Sequence, residues 1–495
     1  MEPLFEIEIE RPTANSRDVT GLIFRQLRAA ILDGRLPAGV RLPPTRQAAV
    51  MFGVSRNTAV EVYDRLGTEG LVSGRQGSGT RVEALRRRPD DEPSAGTDVS
   101  QDARLNPFWL SRDVTESLGF WRNPSDGRAE VPAVDLRPAL VDSRLFPHAT
   151  FRTISSGRLR EFERAPPRPQ SPQGYQGSFR LRDAITRHIA VTRAVACRPQ
   201  EVLVTAGAQQ AFDILARSLV RPGETVVAIE DPGYPPMRVA FAAAGARLVP
   251  VPVDQEGLIV EQLPSDAGVI CLCPSHQFPL GASMTMARRR ALLEFAHRHG
   301  AVVIEDDYDG EFRYDGNPLE ALHAADRHDL VFYVGTFSKS MLPALRLGFV
   351  VAPAWALPAM IAVKNCLDWH CPSWVQAGVA EFIAAGHLTR HVRRMRNVYR
   401  GRRQFLMKAL TQNFGRWLSP IPSSYGMHLA AIAKPGVDCD LLAQALARRN
   451  IRIHSLRRFY FGQPIENGLI FGYGAADQQQ LEQGLVALHD ELGSL

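Results

Sequence analysis

From about residue 131 to its C-terminus the chain alternates short apolar runs with helical patterns. The runs are Glu201–Thr205, Thr225–Ile229, Val269–Cys273, Ala301–Ile304 and Leu330–Val334. Between them lie stretches of helical periodicity, among them Gln209–Val220 and Met286–His299. Runs of this length without polar alternation read as strands buried on both faces, and the intervening helices supply the crossovers that parallel strands require. The pattern predicts an α/β domain over 131–495 with a largely parallel, doubly wound sheet. Such sheets bind ligands beyond the carboxyl ends of their strands. The residues that follow each run are therefore the first candidates for chemistry.

The opening 82 residues follow a different rhythm. Val19–Leu32 carries Leu22, Ile23, Leu27, Ala30 and Ile31 at helical spacing and stops at Asp33-Gly34. Pro43-Pro44-Thr45 opens a second helix that ends at Phe52-Gly53. Ser55 caps a third, expected from Arg56 to Glu69. Gly70-Leu71-Val72 starts a strand, Gly74–Gly79 forms a hairpin tip, and Thr80-Arg81-Val82 returns. The formal net charge of +6 is modest for 495 residues, but arginine concentrates between Arg25 and Arg88. A basic face of that kind suits a polyanion. Residues 83–130 are polar, aperiodic and rich in Pro, Gly and Ser, and read as a linker in which Trp109 and Trp121 point to partial docking.

Other classes are disfavoured. No apolar run reaches the ~18 to 20 residues of a membrane span. The N-terminus MEPLFEIEIERP lacks the basic start and apolar stretch of a secretory signal. A cytoplasmic protein is expected. The six cysteines form no C-x-x-C pair, so neither a metal site nor a disulfide framework is expected.

The stretch LPPTRQAAVMFGVSRNTAVEVYDRLGTEGLVSGRQGSGTRV resembles the GntR-type winged helix, through its Leu-Pro-x-x-Arg helix start, Gly-Val-Ser-Arg-Asn-Thr turn and Gly-Ser-Gly-Thr wing. The resemblance implies a DNA-binding domain over residues 1–82. Ser55, Arg56, Asn57 and Thr58 would begin the recognition helix, where arginine pairs with guanine or phosphate and asparagine reads adenine. Arg46 would hold the DNA backbone, and Gln76 and Gly77 would enter the minor groove from the wing.

Residues 131–495 resemble the fold-type-I pyridoxal-phosphate enzymes of the aminotransferase group. A GntR-type helix fused to such a domain is similar to the MocR subfamily of regulators. The resemblance implies that Lys339, in GTFSKSMLPALRLGF, forms a Schiff base with the cofactor aldehyde. Asp306, in VIEDDYDGEF, would pair with the pyridine nitrogen, with Asp307 one position away as the competing choice. Tyr308 would bond the phenolic oxygen, and Asp307 and Asp309 would be solvated or structural. Gly207, Ala208, Gln209, Ser338 and Arg346 would hold the phosphate. Tyr234 would stack on the ring. Tyr175 would reach the phosphate of a partner subunit, which makes a homodimer the expected assembly.

Two positions depart from active transaminases. Phe278 in PSHQFPLG replaces their asparagine, with His276 and Gln277 as polar neighbours. Ile470 in GLIFGYG stands where an arginine would hold a substrate carboxylate, a contact of ~1.5–3 kcal/mol. Arg457, Arg458 and His276 are the remaining candidates for gripping an effector. The expected function is a pyridoxal-phosphate-dependent transcription regulator that binds an operator and senses an amine, an amino acid or the cofactor itself. The alternative is an active aminotransferase with an appended DNA-binding domain.

Overall fold

The computed structural model describes residues 18–75, 79–84, 104–119, 132–166, 175–315 and 319–493. The chain divides into two compact units, Met1–Asp102 and Ala103–Leu495. No helix of the described residues is long and apolar enough to cross a membrane.

The first unit holds three helices, α1 (Val19–Leu32), α2 (Thr45–Phe52) and α3 (Arg56–Thr68), followed by the hairpin β1 (Val72–Arg75) and β2 (Gly79–Val82). Asp18 starts α1 by accepting the amide of Gly21 at 2.9 Å. Helix α2 stops at Gly53, whose φ of +67° is open to glycine at little cost. Ser55 then caps α3 by accepting the amide of Thr58 at 3.1 Å. Ile23, Leu27, Phe52, Val62 and Leu66 are fully buried where the three helices meet. The hairpin gains a third edge from the α1–α2 connection, where Val82 N–H donates to Val40 O and Leu42 N–H to Thr80 O, both at 2.9 Å. Helix α3 ends one residue short of the expected Glu69, and β1 runs on to Arg75. Gln76 and Gly77, the expected wing contacts, lie outside the described residues, as does Trp121.

The second unit begins with a 3-10 turn, Pro107–Leu110, and helix α4 (Arg112–Gly119). Part of the segment expected as a linker is therefore folded, and α4 packs on the large domain against a later helix, α8. Strand β3 (Val134–Asp135) and helices α5 (His148–Arg164) and α6 (Phe179–Arg193) lead into the main sheet. Its members are β4 (Val202–Thr205), β5 (Val226–Asp231), β6 (Arg247–Asp254), β7 (Gly257–Leu258), β8 (Ala267–Leu272), β9 (Val302–Asp307), β10 (Val331–Thr336) and β11 (Gly348–Val351). Helices α7 (Ala208–Leu219), α8 (Pro235–Ala243) and α9 (Met286–His299) cross between them, and α10 (Leu357–Asp368), α11 (Ser373–Ala384) and the long α12 (His387–Asn413) follow.

The strand order is β4-β11-β10-β9-β8-β5-β6-β7. β10, β9, β8, β5 and β6 pair in parallel, β11 runs against both neighbours, and β7 turns back on β6. Successive side chains alternate between the two faces. Val269, Cys271, Ile304, Phe332 and Val334 face α7, α8 and α10, while Ile270, Leu272, Val303 and Val331 face α9. A smaller antiparallel sheet of β12 (Leu418–Pro420), β13 (His428–Ala433), β15 (His454–Ser455) and β16 (Gly468–Gly472) lies with α13 (Cys439–Arg448) and α14 (Gln478–Gly493), and β14 (Ile451–Arg452) pairs with β3.

Candidate functional site

In the first unit Arg56 and Asn57 stand exposed on the first turn of α3, and Arg46 is exposed on α2. No ion pair among the described residues engages Arg46 or Arg56. The hydroxyls of Ser55 and Thr58 lie 2.9 Å apart, and Ser55 Oγ is already the cap of α3. These two residues therefore set the entry of the helix, whereas Arg56 and Asn57 carry its outward donors. Tyr63 fixes α3 against the start of α2 by donating to Pro43 O at 2.8 Å.

In the second unit the carboxyl ends of the strands surround a cavity of about 700 Å³. Lys339 sits three residues beyond β10, Tyr234 follows β5, Phe278 follows β8, and Gly207 follows β4. Asp306 is the penultimate residue of β9, which runs three residues past the expected end at Ile304. Alternation along β9 settles which aspartate enters the cavity. Asp306 shares the face of Ile304, toward α7 and α8, and lines the pocket with Lys339. Asp307 turns to the other face, where Arg193 donates to it at 2.6 and 3.2 Å and the Tyr333 hydroxyl at 2.6 Å. It is a structural anchor of α6.

The electrostatics of the pocket follow from burial. Lys339 is part-buried, and loss of hydration lowers its pKa to about 8 although Asp309 and Asp306 act in the opposite sense. Its ammonium donates to Ala139 O. Burial raises the Asp306 carboxyl to about 8, helped by the negative charges of Asp307 and Asp309. Asp306 Oδ1 is buried without a hydrogen-bond partner among the described residues, while Oδ2 accepts from the Cys273 thiol at 3.8 Å. Glu230, at the end of β5, is likewise raised to about 8 by burial, while its Oε2 accepts the Cys273 amide at 3.0 Å.

Gly207 does not itself line the cavity but precedes α7, whose first residues do, with φ +85°. A Cβ there would stand 3.1 Å from Arg346 Nη2, so a side chain would crowd the guanidinium. Arg346 donates to Ala206 O at 3.0 Å, and Ala208, Gln209 and Ser338 line the cavity with it. Ser338 is held by Thr336, whose Oγ1 lies 3.0 Å from its hydroxyl. An open helix N-terminus beside an arginine suits a phosphate. Tyr234 and Phe278 form an aromatic wall, with centroids 5.6 Å apart and planes nearly perpendicular.

Beside the pocket lies a fully enclosed polar group. The Tyr308 hydroxyl is 2.7 Å from His276 Nδ1, and the same nitrogen is 3.0 Å from Asp309 Oδ2. With Asp309 as a carboxylate, Nδ1 carries the proton and Tyr308 accepts from it. The phenolic proton is then directed away from the histidine. Asp309 is 2% exposed, so of the two expected roles, solvated or structural, it takes the structural one. His276 is 2% exposed and does not line the cavity.

Arg457 and Arg458 do not line it either. They face a separate cleft that shares no residue with the Lys339 pocket. Tyr175 is described but lines no part of its own chain's pocket. Ile470 is fully buried in an apolar cluster with Phe278, Tyr308 and Phe459. The sequence reading missed Val114 and Ser117 of α4, which together with Trp109 form one wall of the pocket. Their short amphipathic segment was hidden in polar, aperiodic surroundings.

The donor set fits pyridoxal phosphate. A part-buried lysine with lowered pKa lines one cavity with a carboxyl whose Oδ1 has no partner among the described residues, and the start of α7 and an arginine line it too.

Comparison with known proteins places both units. The family model for bacterial regulatory proteins of the gntR family matches residues 20–82, and that for aminotransferase class I and II matches residues 166–487. The chain is 34% identical over 470 residues to the probable rhizopine catabolism regulatory protein MocR of Rhizobium meliloti, covering 94% of this chain and 92% of the relative. It is 31% identical to the pyridoxine biosynthesis regulator PdxR of Corynebacterium glutamicum, covering 94% of each chain. The regulator TauR of Rhodobacter capsulatus is 33% identical over 87% of each. Among solved structures, α-aminoadipate aminotransferase LysN of Thermus thermophilus, complexed with N-(5'-phosphopyridoxyl)-L-leucine, matches at TM-score 0.69 and 25% identity, covering 79% of this chain and 97% of that one. Kynurenine aminotransferase of Pyrococcus horikoshii matches at TM-score 0.68 and 24% identity, over 74% and 91%. This last likeness is one of fold.

Proposed function

Since the chain belongs to the MocR-type regulators of the GntR family, with a DNA-binding helix-turn-helix joined to an aminotransferase-like domain, we propose that its large domain holds pyridoxal phosphate on Lys339 and reads an amine or amino-acid effector there. The observation that carries this reading is that Asp306, whose Oδ1 is buried without a partner among the described residues, lines one cavity with Lys339, a part-buried lysine of lowered pKa. Bound in that cavity, pyridoxal phosphate would supply an aldehyde that exchanges amines and a ring that withdraws electrons.

The chain's own groups have distinct tasks. Lys339 is neutral often enough near pH 8 to act as a nucleophile. Asp306 holds the pyridine nitrogen's proton. Tyr308 presents its hydroxyl proton to the phenolic oxygen, with His276 and Asp309 fixing its direction. Gly207, Ala208, Gln209, Ser338 and Arg346 hold the phosphate, Tyr234 covers the ring, and Tyr175 serves the partner subunit of a homodimer. On the DNA, Arg56 and Asn57 read bases, Arg46 holds the backbone, Ser55 and Thr58 set the helix against a phosphate, and Gln76 and Gly77 follow the minor groove.

Regulation rather than turnover follows from Ile470. An apolar residue there removes the bidentate grip that would orient a substrate for proton loss, and binding without such orientation gives no chemical acceleration. The test is a screen of amines against the full-length, cofactor-loaded protein, following the visible absorbance and operator affinity together. An amine that changes both supports the reading. If no amine changes the absorbance while free pyridoxal phosphate alters operator affinity, the cofactor itself is the signal.

A further inference from the structure

The cleft that takes in Arg457 and Arg458 has a volume of about 790 Å³, within the range of small-molecule sites. Four separate segments bring arginines to it. Arg137 follows β3, Arg238 lies in α8, Arg452 belongs to β14, and Arg457 and Arg458 occupy the 3-10 turn Leu456–Phe459. The charged residues lining it are these five arginines and two aspartates, Asp113 and Asp440. No lysine is among them.

The deeper arginines are held in place. Asp135 grips Arg137 at 2.6 and 2.9 Å, and Arg238 lies 5.1 Å over the Phe461 ring. Asp440 is partly engaged, by the Ser455 hydroxyl and by Arg457 at 3.6 Å. The buried His454 is held well below its usual pKa, first by burial and then by the charges of Arg458 and Arg137. It therefore adds no charge near neutrality, and the cleft's positive character is that of guanidinium groups, which do not titrate there.

We propose that this cleft is a second ligand site, distinct from the Lys339 pocket, that takes a small polyanion carrying at least two carboxylate or phosphate groups. Guanidinium forks match both groups bidentately. The recess selects size. Arg238 is 7% exposed and the Arg137 side chain 11%, deeper than the backbone of a DNA duplex can follow, whereas a small anion can enter.

The experiment is calorimetric titration of the full-length, cofactor-loaded protein with citrate and, separately, inorganic pyrophosphate at fixed ionic strength. Saturable binding of one per chain is expected. The stronger of the two identifies carboxylate or phosphate as the preferred chemistry. Arg238→Gln and Arg452→Gln should each weaken it at least tenfold, with the cofactor's visible absorbance unchanged. Arg458→Gln, at an exposed position, supplies the same test if a buried variant fails to fold. Binding should persist in Lys339→Ala. The proposal is overturned if neither anion saturates, if the arginine variants leave affinity unchanged, or if Lys339→Ala abolishes binding. It is overturned as well if the variants weaken only operator DNA, which would make the arginines phosphate contacts.

Discussion

At the scale of single residues, the pocket moves the titration of two groups, Lys339 downward and Asp306 upward, each to about 8. Lys339→Ala should abolish the yellow absorbance of protein-bound cofactor while leaving the fold intact. Absorbance that survives and can be fixed to the chain by borohydride would mean that another amine carries the cofactor. Asp306 gives a pH signature. Its carboxyl rises from the ordinary 3.8 to about 8 on folding. A raised pKa means that the unfolded chain releases this proton first, so stability is complete below about pH 4 and declines between about pH 4 and 8. In the cofactor-free protein, Asp306→Asn should flatten that decline in chemical denaturation. An unchanged slope would show that the carboxylate is ionised at little cost. Lys339 acts in a separate window. Its lowered pKa should make cofactor capture by the free protein accelerate as pH rises toward 8.

At the scale of elements, two helices carry the function to the surface of each unit. Helix α3 depends on one hydroxyl for its start, so Ser55→Ala should cost ~1 kcal/mol of stability in the DNA-binding unit. Arg56→Ala should weaken operator binding by ~1–3 kcal/mol and relax preference at one base. Arg46→Ala should weaken all sequences alike and flatten the salt dependence. Gel-shift titrations across salt concentrations separate the two patterns, and equal effects of both on every sequence would deny α3 its reading role. Helix α4 is the second case. Val114 is 3% exposed and forms part of the pocket wall. Val114→Asp would set an unpaired charge into that wall at a cost of ~2 kcal/mol or more. Cofactor loss during dialysis should then speed by about tenfold, with new protease cleavage near α4. A wall that is only incidental would leave both unchanged.

At the scale of the whole molecule, the expected homodimer pairs two cofactor sites with two DNA-reading helices. Tyr175 does not line the Lys339 pocket of its own chain, and its proposed place is the phosphate site of a partner subunit. Sedimentation of the cofactor-loaded protein should give a dimer, and the operator should contain two half-sites. A monomer that retains the cofactor would remove the role of Tyr175. Complete transamination should be slow or absent even for an amine that binds. Sustained turnover near ~10 per second would identify an enzyme with an appended DNA-binding domain.

The sequence by itself determined the elements and their chemistry. Helix α1 spans Val19–Leu32 and α9 spans Met286–His299, both at the bounds read from periodicity, because an amphipathic stripe with a capping residue and a glycine stop is local information. The glycine turn before α7 and the recognition-helix start were legible for the same reason, whereas Lys339 was picked out by resemblance to the aminotransferase group. Tertiary structure decided what depends on neighbours distant in the chain. Asp306 and Asp307 are adjacent and chemically identical, and only the facing of β9 separates a pocket carboxylate from a partner of Arg193. Asp309 reads as an exposed acid until Tyr308 and His276 enclose it. Residues 107–119 read as linker because their few apolar side chains bury nothing until the large domain offers a surface. Arg457 and Arg458 pointed to an effector, but which cavity they face was set by the pairing of β14 with β3, a contact that spans hundreds of residues, and by that of β15 with β16. Local free energies are written in the order of the residues, whereas burial and field are sums over atoms that only the folded chain brings together.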